Sequence, residues 1–221
     1  MRIYLHLTPN TSAVPFNYQQ RLVGAFHKWL GENELHDDIS LYSLSWLSGG
    51  RLLSNRRGLD FPAGAELFIS SPLKTLHQQA LDGIFKDAAI AWGMKVEEVR
   101  LRPTPNFGER KVFPVQSPVF IQRHLEGRPH PKYYLYHDEE ADACLTETLR
   151  RKLVRFGLAE EVSVRFDRSY ARAHKKLVTY RNMQLAGSIC PVIIEGSPRA
   201  LQFAWEVGVG NSTGIGFGAL R

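Results

Sequence analysis

The sequence predicts an α+β protein built from two tandem ferredoxin-like (RRM-like) domains, followed by a C-terminal glycine-rich loop. Hydrophobic periodicity alternates between strand and helix repeats in the order βαββαβ, and this order occurs twice along the 221 residues. Proline, glycine and polar residues at 103–111 indicate a linker between the two copies. We therefore place one domain at 1–105 and the other at 106–221.

In the first half, the apolar pattern alternates with period two at residues 2–8, as in a strand. Residues 16–31 form a predicted helix whose apolar face ends at Gly31. This face comprises Leu22, Phe26, Trp29 and Leu30. The remaining predicted elements are strands at 39–47, 65–70 and 95–102, a basic hairpin at 49–58, and a helix at 71–92 that Gly93 stops.

The second half repeats this order less regularly. Its predicted strands lie at 112–123, 132–136, 162–168, 175–181 and 184–195. A helix begins at Asp138, buries Leu145, Leu149 and Leu153, and ends in a basic run of Arg150, Arg151, Lys152 and Arg155 that suits the helix dipole. A last helix begins at Ser197-Pro198, a good N-cap followed by proline, and a short final strand is expected after it.

The segment behind that last helix holds five glycines, namely Gly208, Gly210, Gly214, Gly216 and Gly218. Glycines at this density indicate positive φ angles or a close approach of another molecule, and the exposed amides can seat phosphate. A loose tail is the simple alternative. Val209, Ile215 and Phe217 alternate with the glycines like inward side chains of a strand, which favours an ordered segment. The glycines follow a helix and lack a Lys-Ser/Thr ending, so nucleotide-binding motifs do not fit.

Composition narrows the class of partner. The chain carries 28 Lys and Arg against 22 Asp and Glu, a net charge of +6 that favours a polyanion. We expect no membrane partner, because no apolar run approaches the roughly 18 residues of a membrane span. The N-terminal residues are too polar for a secretory signal, and the two cysteines are far apart, which is typical of a reduced, cytoplasmic protein. We expect no cofactor and no metal, since the nearest approach to a ligand cluster is His36-Asp37-Asp38.

Two basic hairpins indicate that the polyanion is a nucleic acid. The stretch 165–181 carries six basic residues against one acid, with tyrosines interleaved, a pattern suited to backbone contact and base stacking. A solvated strand edge protected by lysines would give the same pattern. RRM-like sheets bind RNA far more often than duplex DNA. The predicted RNA contacts are Arg51, Arg56, Arg57, Arg168, Arg172, Lys175, Lys176 and Arg181, together with Gly208, Gly210, Gly214 and Gly216.

With these pieces in place, the chain resembles the CRISPR-associated endoribonucleases of the RAMP superfamily, which cut precursor CRISPR RNA within its repeats. Three stretches carry the resemblance: Val14–Gln19 before the first helix, Ser117–Val119 at the start of the second half, and Leu201–Gly218. In the last of these, Gly208, Gly210, Gly216 and Gly218 fall on the recurring glycines of the family. The resemblance covers essentially the whole chain.

This resemblance implies metal-independent RNA cleavage by the neighbouring 2′-hydroxyl, leaving a 2′,3′-cyclic phosphate and a 5′-hydroxyl. The expected partner is repeat RNA of the precursor transcript, and the expected role is crRNA maturation. A histidine can serve as either proton carrier near neutral pH. The family places it at or just beyond the first helix, which selects His36 first and His27 as the alternative. Tyr18 is either an assisting residue or a residue at the edge of the core, and Lys28 or Arg51 is a source of positive charge. A non-catalytic RNA-binding subunit of a CRISPR effector complex, in contact with other proteins of that complex, is the competing interpretation, and a homodimer stays open.

Overall fold

The computed structural model describes residues 1–31, 39–54, 57–127 and 129–221. Within these ranges the helices are α1 Gln19–Leu30, α2 Lys74–Lys86, α3 Ala141–Arg155 and α4 Pro198–Val207. The strands of the first half are β1 Arg2–Leu7, β2 Ser43–Leu44, β3 Arg51–Leu52, β4 Leu59–Asp60, β5 Ala65–Ser70 and β6 Val96–Arg102. Those of the second half are β7 Arg110–Phe113, β8 Ile121–Arg123, β9 Lys132–Tyr134, β10 Val162–Phe166, β11 His174–Tyr180, β12 Met183–Ile189 and β13 Val192–Gly196.

The first half forms a four-stranded sheet in the order β2-β5-β1-β6, with every neighbouring pair antiparallel. This is the spatial order that a split βαβ unit produces. The predicted apolar face of α1 is buried, and the helix begins at Gln19, three residues later than expected. β3 and β4 form the small basic hairpin.

Helix α2 is shorter than predicted. It ends at Lys86, because Asp87 adopts an extended conformation and its carboxylate accepts a hydrogen bond from the Ala89 amide. Trp92, which was expected to close the helix, instead has a positive φ of 56°. The predicted helix boundary at Gly93 is therefore wrong by six residues.

The second half departs further from the predicted repeat. Its sheet has three strands in the order β10-β13-β7, and β11 pairs with β12 in a separate hairpin. The single strand predicted over 184–195 is two strands, because Pro191 has no amide hydrogen for a strand ladder. The strand predicted over 112–123 also divides, into β7 and β8, around Pro114 and Pro118. β7 begins inside the segment that the sequence assigned to the linker.

The predicted final strand is wrong. Residues 208–221 contain one 3-10 turn, Thr213–Ile215, and an isolated bridge between Leu220 and Val115. Gly208, Gly210, Gly216 and Gly218 have φ between 60° and 91°, values that a strand does not allow. A loose tail is wrong as well, since Val209 and Phe217 are buried. We call residues 208–218 the glycine-rich segment.

The first hydrophobic core contains residues of both halves. The first core, built on β1, β5, α1 and α2, also contains Phe120, Val178, Tyr180, Leu185 and Phe217. The β11–β12 hairpin therefore packs against the first half, and the glycine-rich segment lies between the halves. In the described part of the chain, no helix is long and apolar enough to cross a membrane.

Candidate functional site

An open cleft of about 480 Å³ brings together α1, the turn of the β11–β12 hairpin and the glycine-rich segment. Helix α1 contributes one side of it through Gln20, Val23, Gly24 and His27. The other lining residues are Ser40, Tyr42, Tyr180, Arg181, Ser212, Gly214 and Ile215. The cleft therefore joins residues that lie far apart in the sequence.

His27 reaches the cleft because of its phase on α1. Phe26 on one side of it and Trp29 two residues on belong to the buried stripe, which anchors the helix to the sheet. His27 lies at the border of that stripe and is half-buried; it lines the cleft, and its Nδ1 atom is buried. Among the residues that the structure describes in this cleft, His27 is therefore the candidate proton carrier.

Two tyrosines lie in the same cleft, and the sequence did not single them out. Tyr42 packs on Phe26 with ring centroids 5.2 Å apart, and burial raises the pKa of its hydroxyl to about 12. Burial also raises the pKa of Tyr180. Both hydroxyls therefore stay protonated at neutral pH and can donate hydrogen bonds to an anion. Tyr180 is one of the tyrosines interleaved in the basic stretch 165–181, whereas no local pattern marks Tyr42.

Gly214 lets the segment close against the cleft wall. A Cβ atom there would lie 2.6 Å from the Ser40 Oγ and 2.7 Å from the Tyr42 hydroxyl oxygen. A side chain at this position would push the 3-10 turn away from Tyr42. Gly214, with its neighbours Ser212 and Ile215, is the part of the segment that lines the cleft.

The other glycines serve packing within the protein. A Cβ on Gly208 would meet the Gly218 carbonyl oxygen at 2.6 Å, and one on Gly210 would meet the Phe120 carbonyl oxygen at 2.5 Å. Gly216 has a φ of 91°, and its carbonyl accepts a hydrogen bond from the Trp46 indole at 2.8 Å. All three are buried and none lines the cleft. The close approach that the sequence indicated is therefore made by other residues of the same protein.

Tyr18 lies in the first core and not in the cleft. Its ring contacts Trp46 and Trp92 edge-on, and its hydroxyl accepts a hydrogen bond from the Leu47 amide at 3.2 Å. Burial raises the pKa of this hydroxyl well above its usual value. These contacts give Tyr18 a structural place at the start of α1.

His36 and Arg56 lie outside the described residues, as does the His36-Asp37-Asp38 stretch. Ser40, which is described and lines the cleft, is the nearest cleft residue in sequence to His36. Within the described ranges, no three His, Cys, Asp or Glu side chains group together as metal ligands would.

The predicted RNA contacts of the second half fall into two groups. Arg181 lines the cleft from the hairpin turn, with a positive φ of 53°, and Arg172, Lys175 and Lys176 are exposed before and along β11. Arg168 is engaged instead, since its guanidinium donates to the Asp142 carboxylate at 2.5 Å and to the Asp138 carbonyl at 3.0 Å.

The basic residues of the first half lie away from the cleft lining. Arg51 pairs with Asp60 at 3.0 Å across the β3–β4 hairpin, and Arg57 is exposed beyond it. Lys28 pairs with Asp87 at 2.8 Å. The structure therefore brings His27, Arg181 and Gly214 together and does not bring Lys28, Arg51 or Tyr18 to them.

The fold is similar to that of solved Cas6 and RAMP proteins. A Cas6-related protein from Pyrococcus furiosus superposes with a TM-score of 0.86, at 19% identity, over 100% of this chain and 97% of its own. A RAMP protein described as binding different RNA substrates gives 0.86, at 18% identity, over 100% and 98%. A Cas6 protein solved as a product complex gives 0.68, at 16% identity, over 100% and 99%. No curated protein matches the chain in sequence.

The family model of the C-terminal part of CRISPR-associated protein Cas6 matches residues 102–221, which is more than half of the chain. The chain therefore belongs to the Cas6 family. The matched region contains the β11–β12 hairpin, α4 and the glycine-rich segment. The recognition made from the sequence is confirmed.

Proposed function

We propose that this protein binds the repeat RNA of precursor CRISPR transcripts and cleaves it without a metal ion. In this reaction the 2′-hydroxyl next to the cut attacks its own phosphate, leaving a 2′,3′-cyclic phosphate and a 5′-hydroxyl. Membership of the Cas6 family supports the substrate class. The observation that carries the proposal is the single cleft shared by His27, Arg181 and the Gly214 turn.

Each group of the cleft has a chemical role in this proposal. His27 carries a proton, either from the attacking 2′-hydroxyl or to the leaving 5′-oxygen. The Arg181 guanidinium offsets the charge that develops on the phosphorane, and the hydroxyl of Tyr42 or Tyr180 donates a hydrogen bond to a phosphate oxygen. His36 stays a predicted proton carrier from the sequence, and the experiment below separates it from His27.

The RNA track in this proposal runs from the cleft along the exposed side of the β11–β12 hairpin. Arg172, Lys175 and Lys176 are exposed there and are available for phosphate contacts. We regard residues 1–105 and 106–221 as two ferredoxin-like units that hold the cleft between them. A Cas6 relative solved as a product complex, with the same overall fold, supports RNA as the ligand of this architecture.

A second candidate is RNA binding without cleavage. The similar RAMP protein described as binding different RNA substrates favours it, since that description names binding alone. The two functions differ in one measurable step. A binding subunit would retain labelled repeat RNA in a gel without cutting it.

The deciding experiment compares His27→Ala, His36→Ala and the control His124→Ala, which alters an exposed histidine directly after β8. Repeat RNA is cut under single-turnover conditions in excess EDTA. We expect His27→Ala to lower the cleavage rate by about 100-fold or more, the usual scale for a lost proton carrier, with little change in Kd. His124→Ala should cut like the wild type.

Three results would contradict parts of this proposal. Full activity of His27→Ala with loss in His36→Ala would move the reaction to His36. Loss of cleavage in EDTA, restored by a divalent ion, would reject the metal-free route. A wild-type protein that binds repeat RNA and leaves it intact would establish the binding function instead.

A further inference from the structure

Lys152 is a buried lysine directly behind the glycine-rich segment. Its side chain leaves α3 and is only 3% exposed. Its Nζ donates hydrogen bonds to the Val207 carbonyl at 3.1 Å and to the Thr213 Oγ1 at 2.9 Å. The first contact lies at the C-terminus of α4 and the second within the 3-10 turn.

Keeping an ammonium at this place is costly for the fold. Burial lowers the pKa of Lys152 to about 7, because the charged form has lost its hydration. In the described part of the chain no carboxylate lies within ion-pair distance of this Nζ, so its acceptors are a carbonyl and a hydroxyl. The negative end of the α4 dipole offsets part of the cost. A buried group that lowers the free energy of unfolding in this way is expected to have a role other than stabilising the fold.

The contact to Thr213 extends to the cleft. The Thr213 hydroxyl accepts from Lys152 and in turn donates to the Tyr42 carbonyl at 2.8 Å, across 171 residues of sequence. Within the turn, the amides of Ile215 and Gly216 bond to the carbonyls of Ser212 and Thr213. The residues on either side of Thr213, Ser212 and Gly214, line the cleft that contains His27. Lys152 therefore holds a cleft wall from its buried side.

We infer that Lys152 is a positioning residue, which fixes the Thr213 turn against Tyr42 and thereby sets the cleft wall formed by Ser212, Gly214 and Ile215. Its consequence for cleavage rests on the proposed function. The effect of Lys152 on the turn does not depend on the proposed function, because it follows from the hydrogen bonds alone. Two readouts separate these consequences.

The first readout is amide hydrogen exchange in the protein without RNA. Lys152→Met removes the charge and the donors at similar volume, and Thr213→Val removes only the hydroxyl. In both variants we expect exchange at the amides of 215–217 to rise about 10-fold or more, while the amides of β1 exchange as in the wild type. Arg151→Met is the control, because Arg151 is exposed and pairs with Glu147 on the same helix.

The stability of Lys152→Met distinguishes positioning from ordinary packing. At pH 6 the lysine is charged in the folded and unfolded states, so the folded state carries the whole cost of burying it. We therefore expect the urea midpoint of Lys152→Met at pH 6 to equal or exceed that of the wild type. Unchanged exchange in the turn, or faster exchange throughout the protein with a lower midpoint, would overturn the inference.

The second readout is single-turnover cleavage of repeat RNA by the same variants. We expect Lys152→Met and Thr213→Val to cut about 10-fold more slowly, with Kd within about 2-fold of the wild type, and Arg151→Met to cut normally. Normal cutting by Lys152→Met, with faster exchange in the turn, would overturn the consequence for cleavage and leave Lys152 a role in the turn alone. If the wild type does not cut, the proposed function fails, and the exchange experiment alone decides whether Lys152 fixes the turn.

Discussion

Gly218 and Gly157 both have a positive φ, but the two positions require glycine for different reasons. Gly218 has a φ of 60° and lies where a Cβ would overlap the Val209 carbonyl oxygen, which is buried in the protein. Gly157, after α3, has a φ of 80° and open space around it. Position 218 requires glycine because of its positive φ and because a Cβ has no room there, whereas position 157 requires it because of its positive φ alone.

Alanine substitution should separate these two requirements. A positive φ costs a residue with a Cβ about 1–2 kcal/mol, which is what we expect Gly157→Ala to lose in unfolding free energy. Gly218→Ala should lose about 1–3 kcal/mol more, because its Cβ has no room. Urea unfolding measures both. Equal losses in the two variants would contradict a packing role for the glycine-rich segment.

The position of Lys152 in the sequence supports two interpretations, an exposed cation and a buried residue. It belongs to the basic run that closes α3, which predicts a solvated cation near the helix dipole. It also lies three residues after Leu149 and seven after Leu145, on the buried stripe of the same helix. Helical phase could have placed Lys152 inside, whereas its acceptors could not be known from a local pattern.

At the scale of elements, the β11–β12 hairpin is buried near its turn and exposed at the start of β11. Val178, Tyr180 and Leu185 are buried in the first core, so the hairpin is anchored across the boundary between the halves. Lys175 and Lys176 are exposed on the same strand. An anchored hairpin with exposed lysines can hold a fixed register along a phosphate backbone.

Removing the two charges tests this element. We expect Lys175→Gln/Lys176→Gln to weaken repeat-RNA binding and to reduce the slope of log K against log salt by about 2, one for each lost phosphate contact. The control is Lys74→Gln/Lys86→Gln, which removes two exposed lysines from α2. Binding measured by filter retention from low to high salt gives both slopes. An unchanged slope in the hairpin variant would reject the hairpin as the RNA track.

Proline residues divide two of the predicted strands, those over 112–123 and 184–195. Pro191 separates β12 from β13 and thereby frees the hairpin from the three-stranded sheet. The sequence contained this signal, since proline cannot donate to a strand ladder. Periodicity alone predicts one strand over 184–195, because it does not show where a strand ladder changes partner.

At the scale of the whole molecule, Arg2 links the two halves. Its guanidinium lies 3.7 Å from the centroid of the Phe68 ring and 3.5 Å from that of Trp205. It donates hydrogen bonds to the carbonyls of Trp205 and Leu220 at 2.8 and 2.9 Å. Burial lowers the pKa of Arg2 to about 10, so the side chain stays charged at neutral pH.

We expect Arg2→Met to lower the unfolding free energy by about 3 kcal/mol, because two buried carbonyls lose their donor and two aromatic rings lose the cation. Arg102→Met is the matched control, since Arg102 faces Arg2 in the β1–β6 register and is exposed. It should change stability by less than about 0.5 kcal/mol. Thermal or urea unfolding compares them, and a small loss in Arg2→Met would mean that Arg2 contributes little to holding the halves together.

The sequence by itself determined the α+β class, the element order of the first half, the basic character of the hairpin and the family. These properties depend on periodicity, charge and motifs that extend over at most about twenty neighbouring residues. Only the tertiary structure placed His27, Arg181 and Gly214 in one cleft and moved Tyr18 into the core. Only the tertiary structure gave Lys152 and Arg2 their acceptors, because those contacts join residues up to 218 positions apart. Contacts at such separations are fixed by the packing of whole elements, which no local pattern encodes.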